Sequence, residues 1–359
     1  MPSTWTLGVI GFAAGAALSL GLIRVAPALG WVDHPDQGRK CHRRPTARTG
    51  GLALWGVLVL AQTMGWMPWP MHRFDWLGIH AMALMGALDD RFDLRARYKA
   101  LLGLAVAVLL AGHAASILSH TVDHVAFLDL AIPTHPLLIF PFLLAWFWSI
   151  PHAYNLIDGI NGLSMGFGLL ALGVLGWHSG VQPAVLWGGL VATLLLNFPK
   201  AKHFLGDCGA LMLGTLFATL SVKLLVAQDA DLPVWVFAYP IVDVTLVVAI
   251  RRWRAQPLGA ADRSHLHHWM MDRVGQRPWI ATPVLLAFAF VPMVRAADIP
   301  GARLISVAGV MALVSLAFKA FLDRILAGTE PAAAAQVRRE VPFMTSPAVR
   351  EPSGTHRAF

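Results

Sequence analysis

The chain of 359 residues is 57% hydrophobic and only 13% charged, with a mean hydropathy of +0.60 and a formal net charge of +8. Soluble domains carry about 25% charged residues, so this composition excludes an ordinary soluble globular protein and indicates a polytopic membrane protein. The basic residues stand in short loops between apolar runs and not on one soluble face, which argues for orientation in a bilayer and against nucleic acid as a partner.

A membrane-spanning helix needs about 20 mostly apolar residues. Taken in chain order, candidate spans fall near residues 4–29, 49–69, 74–88, 100–119, 136–154, 162–178, 182–198, 209–227, 232–250, 279–296 and 303–326. The expected fold class is therefore all-α, a polytopic integral membrane bundle of about eleven transmembrane helices. Residues 1–326 form one transmembrane domain, and the Pro- and Ala-rich residues 327–359 read as a disordered cytoplasmic tail. The first segment has no positive residue before it, whereas Arg24, Arg39, Lys40, Arg43, Arg44 and Arg48 lie at its end or after it. That pattern is an anchor with its N-terminus outside, not a cleavable signal peptide. With the N-terminus outside, the odd-numbered loops hold 17 Lys and Arg and the even-numbered loops hold Arg73, Arg295 and Arg303, as the positive-inside rule requires. Cys41 and Cys208 form no CxxC pair and read as reduced thiols.

The polar clusters all fall on the same side of this topology. They are DHPDQGRKCHRRP in loop one, DDRFDLRARYK in loop three, NLIDGING in loop five, KAKHFLGDCG in loop seven and RRWRAQPLGAADRSHLHH in loop nine. Any one of them alone reads as a solvated loop. Orientation needs only Lys and Arg, however, so the carboxylates, histidines and asparagines that accumulate on one face point to a cytoplasmic active site. Aspartates without a Cys or His cage favour a hard, oxygen-loving cation, magnesium before zinc. Basic residues beside such a cation suit phosphates. Two phosphate-bearing reactants repel by on the order of 4 kcal/mol per unit-charge pair at 4 Å and an effective dielectric of 20, so a metal and basic clamps are needed. The combination at a membrane edge indicates phosphoryl-type transfer involving a lipid phosphate. No GxxxxGK[ST] loop is present, so ATP-driven chemistry of the P-loop type is not indicated.

In order and spacing, RKCHRRPTARTGG, DDRFD, NLIDGINGL, FLGDCGALMLG and DRSHLHH resemble the motifs of the polyprenyl-phosphate N-acetylhexosamine-1-phosphate transferases. These are the WecA-type members of glycosyltransferase family 4, related to the phospho-MurNAc-pentapeptide transferase. The likeness covers roughly residues 30–270, and the DRSHLHH form resembles the WecA branch. The resemblance implies attack of undecaprenyl phosphate on the β-phosphorus of a UDP-N-acetylhexosamine, UDP-GlcNAc being the expected donor, with release of UMP. It implies a multi-pass protein of the bacterial inner membrane, dependent on magnesium with manganese as a substitute, and leaves a homodimer open.

Transferred residue by residue, the likeness makes Asp89, Asp90 and Asp207 the expected catalytic set. One of Asp89 and Asp90 would take the proton of the lipid phosphate, and Asp207 with Asp90 would hold the metal. Lys40, His42, Asn155, Asp158, Asn161, Arg263, His265, His267 and His268 are the expected substrate-binding residues. Asn161 and Ala210 depart from the aspartate and serine that many relatives carry, which weakens the assignment of Asn161. The i, i+2, i+3 spacing of the histidines, with no thiolate near, is a poor tetrahedral zinc set. Asp243 lies inside the ninth apolar segment, in YPIVDVTLVV; a carboxylate there costs about 2.5–3.5 kcal/mol on insertion scales, so it needs a polar partner, and a helix-to-helix bond is the default reading. The rival functions are the MurNAc-pentapeptide enzyme, against which DRSHLHH argues, and a secondary transporter. Transporters place polar residues near the bilayer midplane on broken helices, whereas here they lie at loop boundaries.

Overall fold

The structure is a computed structural model that describes residues 2–34, 45–127, 130–226, 232–257, 263–297 and 299–329. Its helices are α1 (Thr4–Leu29), α2 (Gly50–Thr63), α3 (Arg73–Phe92), α4 (Ala96–Thr121), α5 (Pro136–Leu156), α6 (Leu163–His178), α7 (Ala184–Asn197), α8 (Gly206–Val226), α9 (Leu232–Val236), α10 (Ala238–Trp253), α11 (Leu266–Arg273), α12 (Pro278–Met293) and α13 (Ala302–Thr329). Six of them are long and apolar enough to cross a membrane, namely α1, α4, α5, α8, α12 and α13. An all-α membrane protein is thus what the chain forms.

Each expected apolar segment contains a helix, but several are shorter than the hydropathy suggests. Helices α2 and α7 have 14 residues and α6 has 16, about 21–24 Å at 1.5 Å per residue against a hydrocarbon core of about 30 Å. The ninth segment breaks at Phe237 into α9 and α10. Pro240 has no N–H to offer the Val236 carbonyl, so the ladder is interrupted one turn before it. In the other direction, α3 continues four residues beyond its apolar stretch, to Phe92, because backbone hydrogen bonding does not stop where hydropathy falls. Two small antiparallel pairings were not expected: β1 (Val32–Asp33) with β2 (Thr46–Ala47), and the hairpin of β3 (His124–Phe127) and β4 (Leu130–Pro133).

Helix α8 is the axis of the bundle. Of its most apolar 18-residue window, 89% is buried, against 17–44% for the other five long helices. Helices α2, α3 and α5 pack around it. Glycines permit the close approach: a Cβ at Gly51 would lie 2.1 Å from the Gly209 nitrogen, and one at Gly86 would lie 2.3 Å from the Asp207 carbonyl oxygen. Helices α3 and α8 run antiparallel, and polar bonds join them at both ends. At one end Lys223 Nζ meets Asp75 Oδ2 at 3.0 Å. At the other end lies the cluster described next.

Candidate active site

Helix α8 begins with Gly206, Asp207 and Cys208, and the first N–H groups of any helix have no partner within it. Here a carboxylate from another helix accepts two of them. Asp90, on α3, accepts the Asp207 N–H at Oδ1 and the Cys208 N–H at Oδ2, both at 3.0 Å. Asp158, in the turn between α5 and α6, lies beside the Gly206 backbone, which pulls its pKa down against burial, and accepts the Ser164 hydroxyl. Gly206 has φ +70, and a Cβ there would lie 2.5 Å from Asp90 Oδ2, so only glycine fits the position. The start of α8, and Asp207 with it, is thus held by the end of α3.

Asp207 itself turns toward a third group of side chains. Asn155 Nδ2 donates to its Oδ1 at 3.0 Å, and Lys99 Nζ lies 3.4 Å from its Oδ2. The same ammonium is 2.9 Å from Asp89 Oδ2, while Asp89 Oδ1 accepts the Leu94 N–H at 2.8 Å. Lys99 thus bridges two carboxylates that would otherwise repel. Burial first and the neighbouring Asp207 second push Asp89 up to about 6, against the opposing pull of Lys99. Burial, then the Asp207 charge, also holds Asp90 well above the usual carboxylate range, and burial raises Asp158 to about 7.

The turn containing Asp158 links this acidic centre to the histidines. A Cβ at Gly159 would fall 1.9 Å from His267 Nε2, so residues 155–159 touch Asp207 at one end and His267 at the other. His265, His267 and His268 gather at the start of α11, with the His265 and His267 rings stacked at 5.3 Å and the His267 and His268 rings tilted at 4.3 Å. Burial, followed by the neighbouring histidine charges, holds His267 well below the usual histidine range. His268 falls to about 4 through burial and Arg263. Both are neutral imidazoles at neutral pH. Neither ring nitrogen of His267 has a hydrogen-bond partner among the described residues. Asp243, His265 and His267 bring ligand atoms within 4.8 Å of one another, but both Asp243 oxygens already accept protein donors, from His265 at 2.8 Å and Leu266 at 2.6 Å.

Of the expected site residues, then, Asp89, Asp90, Asp207, Asn155 and Asp158 meet in one centre, and the three histidines join it through Gly159. Two others are engaged elsewhere. The Asn161 side-chain amide donates to the Pro199 carbonyl at 3.0 Å while the Asn161 backbone carbonyl accepts from the Thr282 hydroxyl, and Arg263 pairs with Asp272 at 3.0 Å on the α11 surface. Lys40 and His42 lie outside the described residues. Lys99 was not anticipated, because nothing in DDRFDLRARYK separates it from Arg91, Arg95 and Arg97. Arg48, paired with Asp33, adds a positive charge felt at Asp90 and Asp207.

The chain is similar to known proteins of one family. Residues 75–225 match the family described as Glycosyl transferase family 4. A Bacillus subtilis (strain 168) protein named probable undecaprenyl-phosphate N-acetylglucosaminyl 1-phosphate transferase is 30% identical over 285 residues, 74% of this chain and 77% of the relative. The Escherichia coli (strain K12) undecaprenyl-phosphate alpha-N-acetylglucosaminyl 1-phosphate transferase is 26% identical over 274 residues, 69% and 71% of the two chains. A Mycobacterium tuberculosis decaprenyl-phosphate N-acetylglucosaminephosphotransferase is 28% identical over 311 residues, 74% and 76%. The matched family segment runs from α3 through α8 and so contains Asp89, Asp90, Lys99, Asn155, Asp158 and Asp207. The chain belongs to glycosyl transferase family 4.

Proposed function

We propose that the protein transfers N-acetylglucosamine 1-phosphate from UDP-N-acetylglucosamine to undecaprenyl phosphate, with release of UMP. The observation that carries this reading is the Lys99 bridge between Asp89 and Asp207 at the capped start of α8. It puts a proton acceptor and a hard-oxygen centre side by side at the end of the bundle, where a lipid headgroup and a water-borne nucleotide can meet. The relatives' names supply the two substrates, and the family supplies the UDP donor.

In the reaction, an oxygen of the lipid phosphate attacks the β-phosphorus of the donor. A new P–O bond forms to the lipid phosphate, the bond between the β-phosphorus and the oxygen bridging to UMP breaks, and UMP leaves with that electron pair. Asp89, poised near neutrality, takes the proton of the lipid phosphate, which suits a general base at cellular pH. Lys99 steadies the two carboxylates and faces the incoming phosphates. Asp90 and Asp158 are assigned to hold the start of α8, and with it Asp207, in register. His265 and the neutral His267 and His268 are assigned to hydrogen bonds with the sugar nucleotide, while positive charge for the phosphates comes from Lys99 and Arg48.

The donor set also fits magnesium. Asp207 and the amide oxygen of Asn155 are hard oxygen ligands, and no imidazole or thiolate is hydrogen-bonded to Asp207 among the described residues. We therefore assign the ion to Asp207 and Asn155, with Asp90 in a capping role. When bound, it would offset charge on the diphosphate and on the departing UMP. We also assign the acidic centre to the cytoplasmic side of the inner membrane, with eleven spans and the N-terminus outside, on the distribution of Lys and Arg.

The test is UMP release by purified protein given undecaprenyl phosphate and a panel of UDP-sugars. Release that depends on both the lipid and UDP-N-acetylglucosamine is expected. Turnover only with UDP-MurNAc-pentapeptide, or none with any UDP-sugar, would overturn the assignment.

A further inference from the structure

Asp243 occupies a position that a bundle helix would ordinarily give to an apolar residue. It lies in α10 with Val242 before it and Val244 after it, and it is fully buried. Such a carboxylate is tolerated only when both oxygens are satisfied. Its two partners come not from neighbouring transmembrane helices but from consecutive residues at the start of α11. His265 Nδ1 lies 2.8 Å from Oδ2, and the Leu266 N–H donates to Oδ1 at 2.6 Å.

This pairing decides which nitrogen of His265 is free. The carboxylate already accepts the Leu266 N–H, and with its second oxygen accepting as well the hydrogen of the His265 contact sits on Nδ1 of the imidazole. His265 Nε2 is then left to meet whatever approaches the histidine cluster. The Leu266 bond fixes the backbone on which the ring stands, so a single carboxylate sets both the position and the tautomer. Carboxylate–histidine pairs of this kind orient ligating imidazoles in many sites.

We propose that Asp243 is a positioning residue for the transfer reaction, holding His265 as the Nδ1–H tautomer so that Nε2 is the atom presented to the sugar nucleotide. The proposal rests on the assignment of His265 to substrate binding. An asparagine in its place exposes the logic. Its side chain has one acceptor and one donor, while the site presents two donors. The Leu266 N–H keeps the amide oxygen, and the amide NH2 then faces His265 Nδ1, which must accept. The hydrogen moves to Nε2, and the histidine presents the opposite polarity with almost no change in shape.

Two measurements test this. Nitrogen-15 spectra of histidine-labelled protein at alkaline pH, with the His265 signals assigned by their loss in His265→Asn, should show His265 as the Nδ1–H tautomer in the wild type and as Nε2–H in Asp243→Asn. The wild-type spectrum alone is decisive if the variant does not fold: an Nε2–H tautomer there overturns the proposal. In a double-mutant cycle, Asp243→Asn should lower kcat/KM for the UDP-sugar by about 10–100-fold, the usual cost of losing such a supporting carboxylate. Added to His265→Ala it should cost less than about twofold, because its effect passes through the missing ring. Losses that multiply independently would make Asp243 a structural cap only and sink the proposal. Unchanged kcat/KM in His265→Ala would instead refute the substrate-binding assignment, while the spectra would still decide the tautomer.

Discussion

Replacing Lys99 with methionine keeps most of the side chain's length and removes its charge, so it isolates what the ammonium does between Asp89 and Asp207. The ion pair to Asp89 spans 2.9 Å, and Lys99 opposes the burial that holds Asp89 at about 6. A hydrogen bond to a charged group contributes about 1.5–3 kcal/mol, and one pKa unit is about 1.4 kcal/mol. Loss of Lys99 therefore moves Asp89 up by about two units, to near 8. If Asp89 is the base, the ionised fraction falls about 25-fold at pH 6.5, about fourfold at pH 7.5 and hardly at all at pH 9.5. UMP release by Lys99→Met, followed from pH 6 to 10 at saturating magnesium and both substrates, should show its acid limb displaced upward by that amount. Any direct contact of Lys99 with phosphate adds a loss that does not vary with pH. A deficit of constant size across the whole range would refute the coupling of Lys99 to Asp89 and the role of Asp89 as base.

Asp207→Asn should lower turnover at least about a hundredfold, EDTA should stop the wild type and added magnesium should restore it; near-normal UMP release by the variant in EDTA would exclude Asp207 as the metal site. Gly159→Ala drives a methyl to 1.9 Å from His267 Nε2, so the apparent KM for the UDP-sugar should rise about tenfold or more with the fold intact, and unchanged kinetics would separate the turn from the histidines. Asp90→Asn sets an amide NH2 against one of two helix-start N–H groups, and the buried mismatch should destabilise the protein by about 1–3 kcal/mol, read as a lowered melting midpoint in detergent. Cysteines introduced as Pro45→Cys and Arg95→Cys should react with impermeant reagents only after the cytoplasmic face is exposed, and labelling in intact cells would reverse the assigned orientation.

The polar motifs were legible because a membrane protein has few uses for carboxylates and histidines in its loops, so five islands of them stand out against apolar sequence. What each member does was less legible, since it depends on elements distant in the chain. Asp89 and Asp90 read as an equivalent pair, yet consecutive helical residues point about 100° apart, and only the position of α8 makes one a helix cap and the other a partner of Lys99. Asn161 shares its spacing with Asn155 and Asp158 but is spent on the Pro199 loop. Asp243 was recognised as needing a partner, but a span of 22 residues to His265, across a loop, has no periodicity to announce it. Helix ends were misjudged where hydropathy and hydrogen bonding part company, as in α3, whose last four residues are polar or exposed.

The capped start of α8 also has a history in time. Asp90 leaves the ribosome 117 residues before the backbone N–H of Asp207 that it will accept, an interval of about 6–23 seconds at ordinary rates of synthesis. For that long α3 carries Asp90 with nothing to cap, and its place at the edge of the bundle lets water hold it until α8 arrives. Lys99 is made within the same wait, so the newborn acidic cluster has a counter-ion before Asp207 joins it. The histidines, and the Asp243 that orients one of them, follow later still. A chain released after α8 but before residue 243 would thus own the charged half of the centre and lack the half assigned to reading the sugar.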